Sequence, residues 1–173
     1  MKKISGLLFP LLLLACAKTE VKEPILYEGP LREMADMEMF YSQSSAVKVK
    51  MKTPLVYEFK NDDKEFPKGL YLEFYDAMGN LESTLTANHA FYFKAENKWR
   101  GRGDVVVKNV IKHEQLNTEE LFWTPADEKI FTDKFVTIRE QVNIIYGEGM
   151  KANQDLSDFE IKKVTGVIEV KED

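Results

Sequence analysis

Apolar and polar residues alternate with a period of two from Ser45 onward, and this pattern limits the fold to one built of half-buried β-strands. Residues 70–75 (LYLEFY) and 81–87 (LESTLTA) show the alternation clearly. The strand candidates are residues 47–52, 55–60, 70–75, 81–87, 90–94, 99–109, 114–123, 129–139, 142–146, 148–153 and 159–170. The second half has no sustained helical period, so the sequence predicts an all-β sandwich or barrel.

A weak internal repeat with an offset of 31 residues runs through the second half of the chain. Residues 98–107 (KWRGRGDVVV) recur as residues 129–138 (KIFTDKFVTI), and residues 85–92 recur as residues 116–123. Each unit corresponds to one two-stranded hairpin, and stacked hairpins together bury a face that none could bury alone. We expect an elongated stack of antiparallel strands with a free edge at each end.

The N-terminus has the features of a secretory signal that ends at a lipid-attachment cysteine. Two lysines precede an apolar run at residues 4–15, and Cys16, the only cysteine, follows directly. The run is shorter than the roughly 20 residues that a membrane-spanning helix needs, and Pro10 interrupts it. We therefore expect residues 1–15 to be removed as a signal peptide and Cys16 to carry acyl chains that anchor the protein in a membrane.

Residues 16–45 are predicted to be a lipidated tether that precedes one β-domain at residues 46–170. The first half of the tether carries charges and two prolines without a clean period. Residues 31–40 (LREMADMEMF) place apolar residues at helical spacing, so a short helix is one possible structure for this segment.

The charge balance argues against nucleic-acid binding, and the cysteine content argues against a disulfide. Without the signal peptide the chain has 22 basic and 29 acidic residues, a net charge of −7. A chain with this balance and no basic cluster is not expected to bind nucleic acid. With its one cysteine lipidated it can form no disulfide, so its stability must come from an apolar core, which 44% hydrophobic residues can supply.

The residues that usually carry catalysis are missing or isolated. His89 and His113 have no second ligand at metal-binding spacing, and no G-x-S-x-G or glycine-rich phosphate loop is present. The carboxylates of Glu119, Glu120 and Glu148 could in principle serve glycoside hydrolysis, but on alternating strands a solvent-facing position is the simpler interpretation. We therefore expect no metal, no cofactor and no enzymatic activity.

One parity of the strands is strongly apolar and is expected to face the interior. Its members are Leu70, Leu72, Phe74, Leu81, Leu85, Trp99, Val105, Val107, Ile130, Val136, Ile138, Val142 and Ile144. The opposite parity is not fully polar, because it carries Phe91, Phe93, Phe131, Phe135 and Ile145. Two interpretations remain open: a two-layer sandwich that fills its own core, and a groove between the layers that admits acyl chains.

The repeat and the lipid-attachment site together resemble a known family. Residues 46–168 are similar to the periplasmic bridge proteins of lipopolysaccharide export, the LptC family, in the lipoprotein form seen in Bacteroidetes. The matching segments are residues 72–76 (LEFYD) with Gly79, residues 85–90 (LTANHA), Trp99 with residues 103–107 (GDVVV), residues 116–123 (LNTEELFW), residues 130–136 (IFTDKFV) and residues 147–152 (GEGMKA). Each segment is weak alone, and their order and spacing make the resemblance specific.

The resemblance implies a twisted, V-shaped, OstA-like antiparallel β-jellyroll that carries the acyl chains of lipid A inside and leaves the sugars outside. It implies that the N-terminal edge abuts the jellyroll of the inner-membrane ABC transporter and that the C-terminal edge pairs with a bridge protein of the LptA type. The groove residues would be Leu72, Phe74, Leu85, Phe93, Trp99, Val105, Val107, Phe131, Val136, Ile138 and Ile144. The partner edges would contain Val47, Val49 and Met51 at one end, and Glu148, Met150, Phe159 and Ile161 at the other.

The chain departs from well-studied relatives at its N-terminus. Those relatives keep a transmembrane helix, whereas this chain would use the lipid on Cys16, most simply in the outer leaflet of the inner membrane. The competing interpretation is a lipoprotein that binds glycan or protein through the outside of a filled sandwich, and a platform of Tyr71, Tyr75 and Tyr92 would favour it.

Overall fold

The computed structural model describes residues 27–169, and every long element in this range is a β-strand. The strands are β1 (Arg32–Gln43), β2 (Ala46–Glu58), β3 (Lys64–Phe66), β4 (Leu70–Tyr75), β5 (Leu81–Ala87), β6 (His89–Phe93), β7 (Lys98–Asn109), β8 (Glu114–Thr124), β9 (Lys129–Arg139), β10 (Asn143–Asn153) and β11 (Glu160–Glu169). A single 3-10 turn, Lys94–Glu96, joins β6 to β7. Among these residues no helix is long and apolar enough to cross a membrane.

The prediction of an all-β antiparallel fold is confirmed. The candidates at residues 47–52 and 55–60 form one continuous strand, β2, and those at residues 142–146 and 148–153 form β10. β3 was not predicted, because three residues are too few to show a period. The predicted signal peptide and Cys16 lie outside the described residues.

The strands form one antiparallel sheet that divides in its middle. β7 to β11 pair in sequence order. β2 pairs with β4 through residues 49–52 and with β3 through residues 57–58. On the far side of the division, β7 pairs with β5 through residues 106–109 and with β6 through residues 98–102. The sheet therefore has two layers, the β4–β5 layer and the β3–β6 layer, and both connect β2 to β7. One half of β2 and one half of β7 lie in each layer.

The two layers face each other across an interior. Phe74 of β4 contacts Trp123 of β8 edge to face, with the ring centroids 5.1 Å apart. Along the sheet Phe74 pairs with Ser83, and Ser83 pairs with Asn109. The partner of Asn109 is Glu114, which lies nine residues from Trp123 along β8, or about 30 Å of strand. The contact is possible only because the sheet folds back on itself.

β-Bulges bend the long strands where they pass from one layer to the other. The register of β7 shifts after Arg102, where Gly103 and Asp104 have φ values of 70° and 49°. β8, β9 and β10 shift register at neighbouring positions, and Gly149 of β10 has φ 72°. Bulges bend a strand and increase its twist. The bulges therefore form the closed side of a V, and the hairpin turns lie at its mouth.

The possible helix at residues 31–40 is not formed, because these residues form most of β1. β1 pairs with β2 from the Arg32–Glu58 pair to the end of the strand. Since the domain already begins at Arg32, the predicted tether boundary at residue 45 is also wrong, and the 27–31 segment is all of the tether that the structure describes.

A bend in β1 explains the false helical signal. Met34 and Met37 both pack against the core although they are three residues apart. Asp36 lies between them with φ 49°, opposite Pro54, and this irregular residue turns both methionines to the same side. A spacing of three is typical of a helix face, and in this strand it marks a local distortion.

Candidate functional site

Most of the residues predicted to face inward are buried in one continuous apolar cluster between the two layers. Trp99 packs against this cluster from its margin. The cluster itself contains Leu72, Phe74, Leu85, Val105, Val107, Val136 and Ile138. Their exposed fractions are 5% or less, apart from Trp99, which is half-buried. The inward parity is therefore confirmed for these eight residues, and their contact with lipid stays a prediction.

Aromatic rings form a connected row inside the V. Trp99 of β7 contacts Phe66 of β3 and Tyr92 of β6, with centroid distances of 5.3 and 4.8 Å. Trp99 also contacts Trp123 at 5.8 Å, and Trp123 reaches Phe74 in the opposite layer. Aromatic pairs at these distances stabilise a core beyond the effect of buried area. This row, which the sequence did not predict, links the mouth of the V to its interior.

Three of the predicted groove residues do not face the interior. Phe131 lies between buried Ile130 and Thr132 on β9, so its side chain projects from the outer face, where its ring stacks on Phe122 at 5.3 Å. Phe93 stacks on Phe91 at 6.2 Å on the same outer face. The strand alternation places both rings outside.

Ile144 is the third wrong assignment. Its neighbour Ile145 lies opposite Ile138 across the β9–β10 ladder and packs against the core. The inward residues of β9 have even numbers, and the prediction continued this alternation through the turn at residues 140–142. The turn breaks the alternation, so the inward residue of β10 is one position later than predicted.

The outer aromatic residues are interleaved with cations. Arg100 lies 4.7 Å from the Phe91 ring centroid, and Lys98 lies 5.6 Å from that of Phe122. The Arg100 Nε atom is buried without a hydrogen-bond partner. Cation–π contacts of this kind cover apolar rings on a solvated face. The outer phenylalanines therefore have a structural explanation that involves no lipid.

The mouth of the V is closed by the loop between β10 and β11. Within this loop Gln154 accepts a hydrogen bond from Trp123 Nε1 at 2.9 Å on its side-chain Oε1. Its backbone carbonyl accepts one from Ser83 Oγ at 3.1 Å, and the carbonyl of Asp155 accepts one from Asn109 Nδ2 at 2.7 Å. No sequence pattern predicts these contacts, because they join residues from distant parts of the chain.

Carboxylates gather around the same loop. Burial raises the pKa of Glu82 above its usual range, and the nearby charges of Asp155, Asp76 and Glu128 raise it further. Burial also raises the pKa of Glu114, and Glu140 and Asp155 act in the same direction against Lys112. The mouth is therefore acidic, and its carboxylates repel one another when ionised.

The predicted partner edges are only partly correct. Val47, Val49 and Met51 lie on β2, which pairs with β1 on one side and with β4 on the other, so β1 is the N-terminal edge. Glu148 and Met150 lie on β10, which is likewise paired on both sides. Ile161 lies on the edge strand β11, and Phe159 is the residue directly before the start of that strand. An added hairpin strand at each end explains both errors.

The structure separates the other candidate features. Tyr71 and Tyr75 lie on the outer face of β4, whereas Tyr92 packs on Trp99 against the core, so the three tyrosines share no platform. His89 contacts Glu65 at 2.9 Å. In residues 27–169 no group of three or more His, Cys, Asp or Glu side chains is placed to hold a metal ion.

The geometry is that of an apolar two-layer V with a strand edge at each end. The family model described as lipopolysaccharide-assembly, LptC-related, matches residues 34–169, which span the sheet from β1 to the end of β11. The chain belongs to the LptC-related family. No curated protein matches it. LptC-related proteins are non-enzymatic components of lipopolysaccharide transport and act in the periplasm at the inner membrane.

Proposed function

We propose that this protein accepts lipopolysaccharide from an inner-membrane ABC transporter and passes it to the next β-jellyroll bridge protein toward the outer membrane. The acyl chains of lipid A would travel between the two layers while the sugars stay outside. The continuous apolar interior is the main support. Its buried set contains a single ionisable residue among those described, Glu58, which is paired at the margin with Arg32 and Lys64 at 2.7 and 3.3 Å.

Passage of lipid would require the interior to open, since its side chains fill the space in this structure. The bulged side of the V is continuous along the long strands, whereas at the mouth only side-chain contacts and the loop between β10 and β11 join the layers in the described residues. Separation of the layers at the mouth would expose an apolar surface to which acyl chains could bind with little cost, because both surfaces are apolar.

Free strand edges support the proposed transfer between proteins. In the described residues β1 pairs only with β2, and β11 pairs only with β10. The outer side of each strand presents unpaired N–H and C=O groups to which a strand of a partner can add. We assign β1 to the transporter side and β11 to a bridge partner of the LptA type, which would join the three interiors end to end.

A lipid on Cys16 would hold the domain at the outer leaflet of the inner membrane. Residues 17–31 separate Cys16 from β1, and 15 extended residues reach at most about 50 Å. A tether of this length would let the domain sit above the membrane beside the periplasmic part of a transporter.

Photo-crosslinking in cells tests the proposal. A photoreactive phenylalanine would replace Leu85 or Val107, which are buried inside the V, and in matched controls Phe131 or Lys50, which lie on its outside. Adducts with lipopolysaccharide at the two inner positions and none at the outer positions are expected. The Ile130 and Phe131 pair offers a stricter control, because these neighbours on β9 face opposite sides.

An absence of lipopolysaccharide adducts at the inner positions would overturn the proposal. If the variants fold and reach the periplasm but give no adducts at the inner positions, the core is a filled sandwich. The protein would then act through its outer surface on a glycan or another protein.

A further inference from the structure

One residue of the loop at residues 153–158, Gln154, contacts both layers. Gln154 binds Trp123 of the β3–β6 layer with its side chain and Ser83 of the β4–β5 layer with its carbonyl. Its N–H also donates to the Glu128 carbonyl at 2.9 Å, which holds the loop to the β8–β9 turn. Of the side-chain hydrogen bonds in the described residues, only those from Ser83 and Asn109 attach this loop to the β4–β5 layer.

Leu156 inserts into the core from the same loop. It is 2% exposed and belongs to the central apolar cluster, although its backbone has φ 62°. Leucine rarely adopts this left-handed conformation, and it persists only where surrounding contacts enforce it. The backbone bonds between Leu156 N and Asn153 O, and between Asn153 N and Ser157 O, make the loop compact. These bonds give the loop a defined shape of its own.

The contacts of the loop with the two layers have a common chemistry. Three donors at the mouth, the Ser83 hydroxyl, the Asn109 amide and the Trp123 indole, each bind an oxygen of the loop. Two of those oxygens are backbone carbonyls and the third is a side-chain amide oxygen. If the loop left, the donors would lose their partners at a largely buried site, which is costly unless another acceptor replaces them.

We propose that residues 153–158 are a latch and that the three donors beneath it are a binding site for the ester or amide carbonyls of an acylated lipid. When the latch leaves, the acyl chains enter in place of Leu156, and their linkage carbonyls accept the hydrogen bonds that the loop oxygens gave up. The inference rests on the proposed function and adds the place and the chemistry of lipid access. It explains why polar donors lie at the rim of an apolar interior.

The test uses the full chain in lipid nanodiscs, the Ser83→Ala variant and a matched control. Ser83→Ala removes the hydroxyl donor to the Gln154 carbonyl with little change in volume. The control, Asn80→Ala, removes one amide donor to Asp76 at 2.9 Å within the β4–β5 turn, away from the latch. Hydrogen exchange of residues 153–158 reports opening, and cis-parinaric acid, a fluorescent fatty acid with a carboxyl head, reports lipid entry by energy transfer from the core tryptophans.

We expect Ser83→Ala to speed hydrogen exchange in the latch about fivefold, as loss of one net hydrogen bond predicts. The association rate of the probe should rise by a similar factor, and its dissociation rate should rise as well because one carbonyl donor is gone. Asn80→Ala should leave all three rates unchanged. A faster association with no gain in affinity distinguishes a latch with a binding role from a loop that only blocks the mouth.

Two results would overturn the inference, and they differ. If the probe binds the parent chain and Ser83→Ala at the same rate, or if exchange in the latch does not change, lipid enters elsewhere and the proposed transport function stands without the latch. If the probe binds neither chain above the signal of empty nanodiscs, the interior takes no acyl chain, and the proposed function fails together with this access site.

Discussion

At the scale of single residues, a shift of one position decides whether a side chain belongs to the interior or to the outer face. Ile130 is fully buried and Phe131 beside it stacks on Phe122 outside. The size of the side chain does not reveal this, because phenylalanine is as apolar as isoleucine. Only the alternation along a correctly bounded strand does so.

This adjacent pair gives a direct test of the assigned faces. Ile130→Ala should lower the free energy of unfolding by about 2–5 kcal/mol, because it leaves a cavity in a packed core. Phe131→Ala should cost only about 1–2 kcal/mol, because a half-buried ring can be replaced by water. Urea unfolding of the full chain measures both values, and an equal or reversed ranking would contradict the assigned faces.

A second residue-scale prediction concerns pH. The pKa of Glu82 is raised by burial and by Asp155, Asp76 and Glu128, against a weaker opposing effect of Lys48. The folded protein therefore holds this proton to a higher pH than the unfolded chain, whose glutamate has an ordinary pKa of 4.5. The associated stability is fully present below pH 4.5 and is lost as the pH rises through the raised pKa.

Glu82→Gln should remove this part of the pH dependence. The free energy of unfolding of the parent chain should fall with rising pH above 4.5 more steeply than that of Glu82→Gln. The matched control is Glu119→Gln on the exposed side of β8, which should follow the parent curve. Parallel curves for the parent and Glu82→Gln would show that folding does not raise the pKa of Glu82.

At the scale of elements, the sequence predicts strands well where alternation is long and poorly where tertiary contacts determine the structure. β4, β5, β7, β8 and β9 were predicted almost to their ends, because each buries one full face. β1 was missed, because it buries only Met34 and Met37 and bends between them.

The candidate site divides in the same way. The inward residues of the central strands follow from parity, whereas Ile144 was misplaced because a turn reset the count. The loop at residues 153–158 carries no local pattern. Its contacts are with Ser83 and Trp123, which lie 71 and 31 residues from Gln154 in the sequence, and no period of two or 3.6 connects such positions.

β11 offers an element-scale test of partner pairing. The β10–β11 register runs from Gly147–Val164 to Tyr146–Gly166, so Thr165 is the extra residue of a bulge with no partner on β10. Proline is tolerated at bulges and on edge strands. Thr165→Pro should therefore keep the fold, seen by circular dichroism, and should weaken co-purification with the bridge partner at least tenfold.

Thr165→Val is the matched control, because it keeps the N–H group and a β-branched side chain. It should co-purify with the partner as the parent chain does. If Thr165→Pro folds and pairs normally, β11 is not the edge that the partner uses, and β1 becomes the alternative.

At the scale of the whole molecule, the proposed function combines three features: bends that hold the two layers together, a mouth at which the layers would separate, and free edges to which strands of partner proteins would add. Such a carrier would need a defined height above the membrane, since its edge would have to meet that of the transporter. The proposed lipid on Cys16 and the residues before β1 would set that height.

Shortening the tether tests this arrangement. Deletion of residues 19–26 would reduce the maximum reach from Cys16 to β1 from about 50 Å to about 25 Å. The domain should still fold and the protein should stay in the membrane, but lipopolysaccharide should fail to reach the outer membrane because β1 could no longer meet the transporter. Replacement of the same residues by a glycine–serine segment of equal length should restore transport, since length and not sequence is required. Transport by the shortened chain at the level of the parent would show that the anchor does not position the domain, and the contact with the transporter alone would then hold it in place.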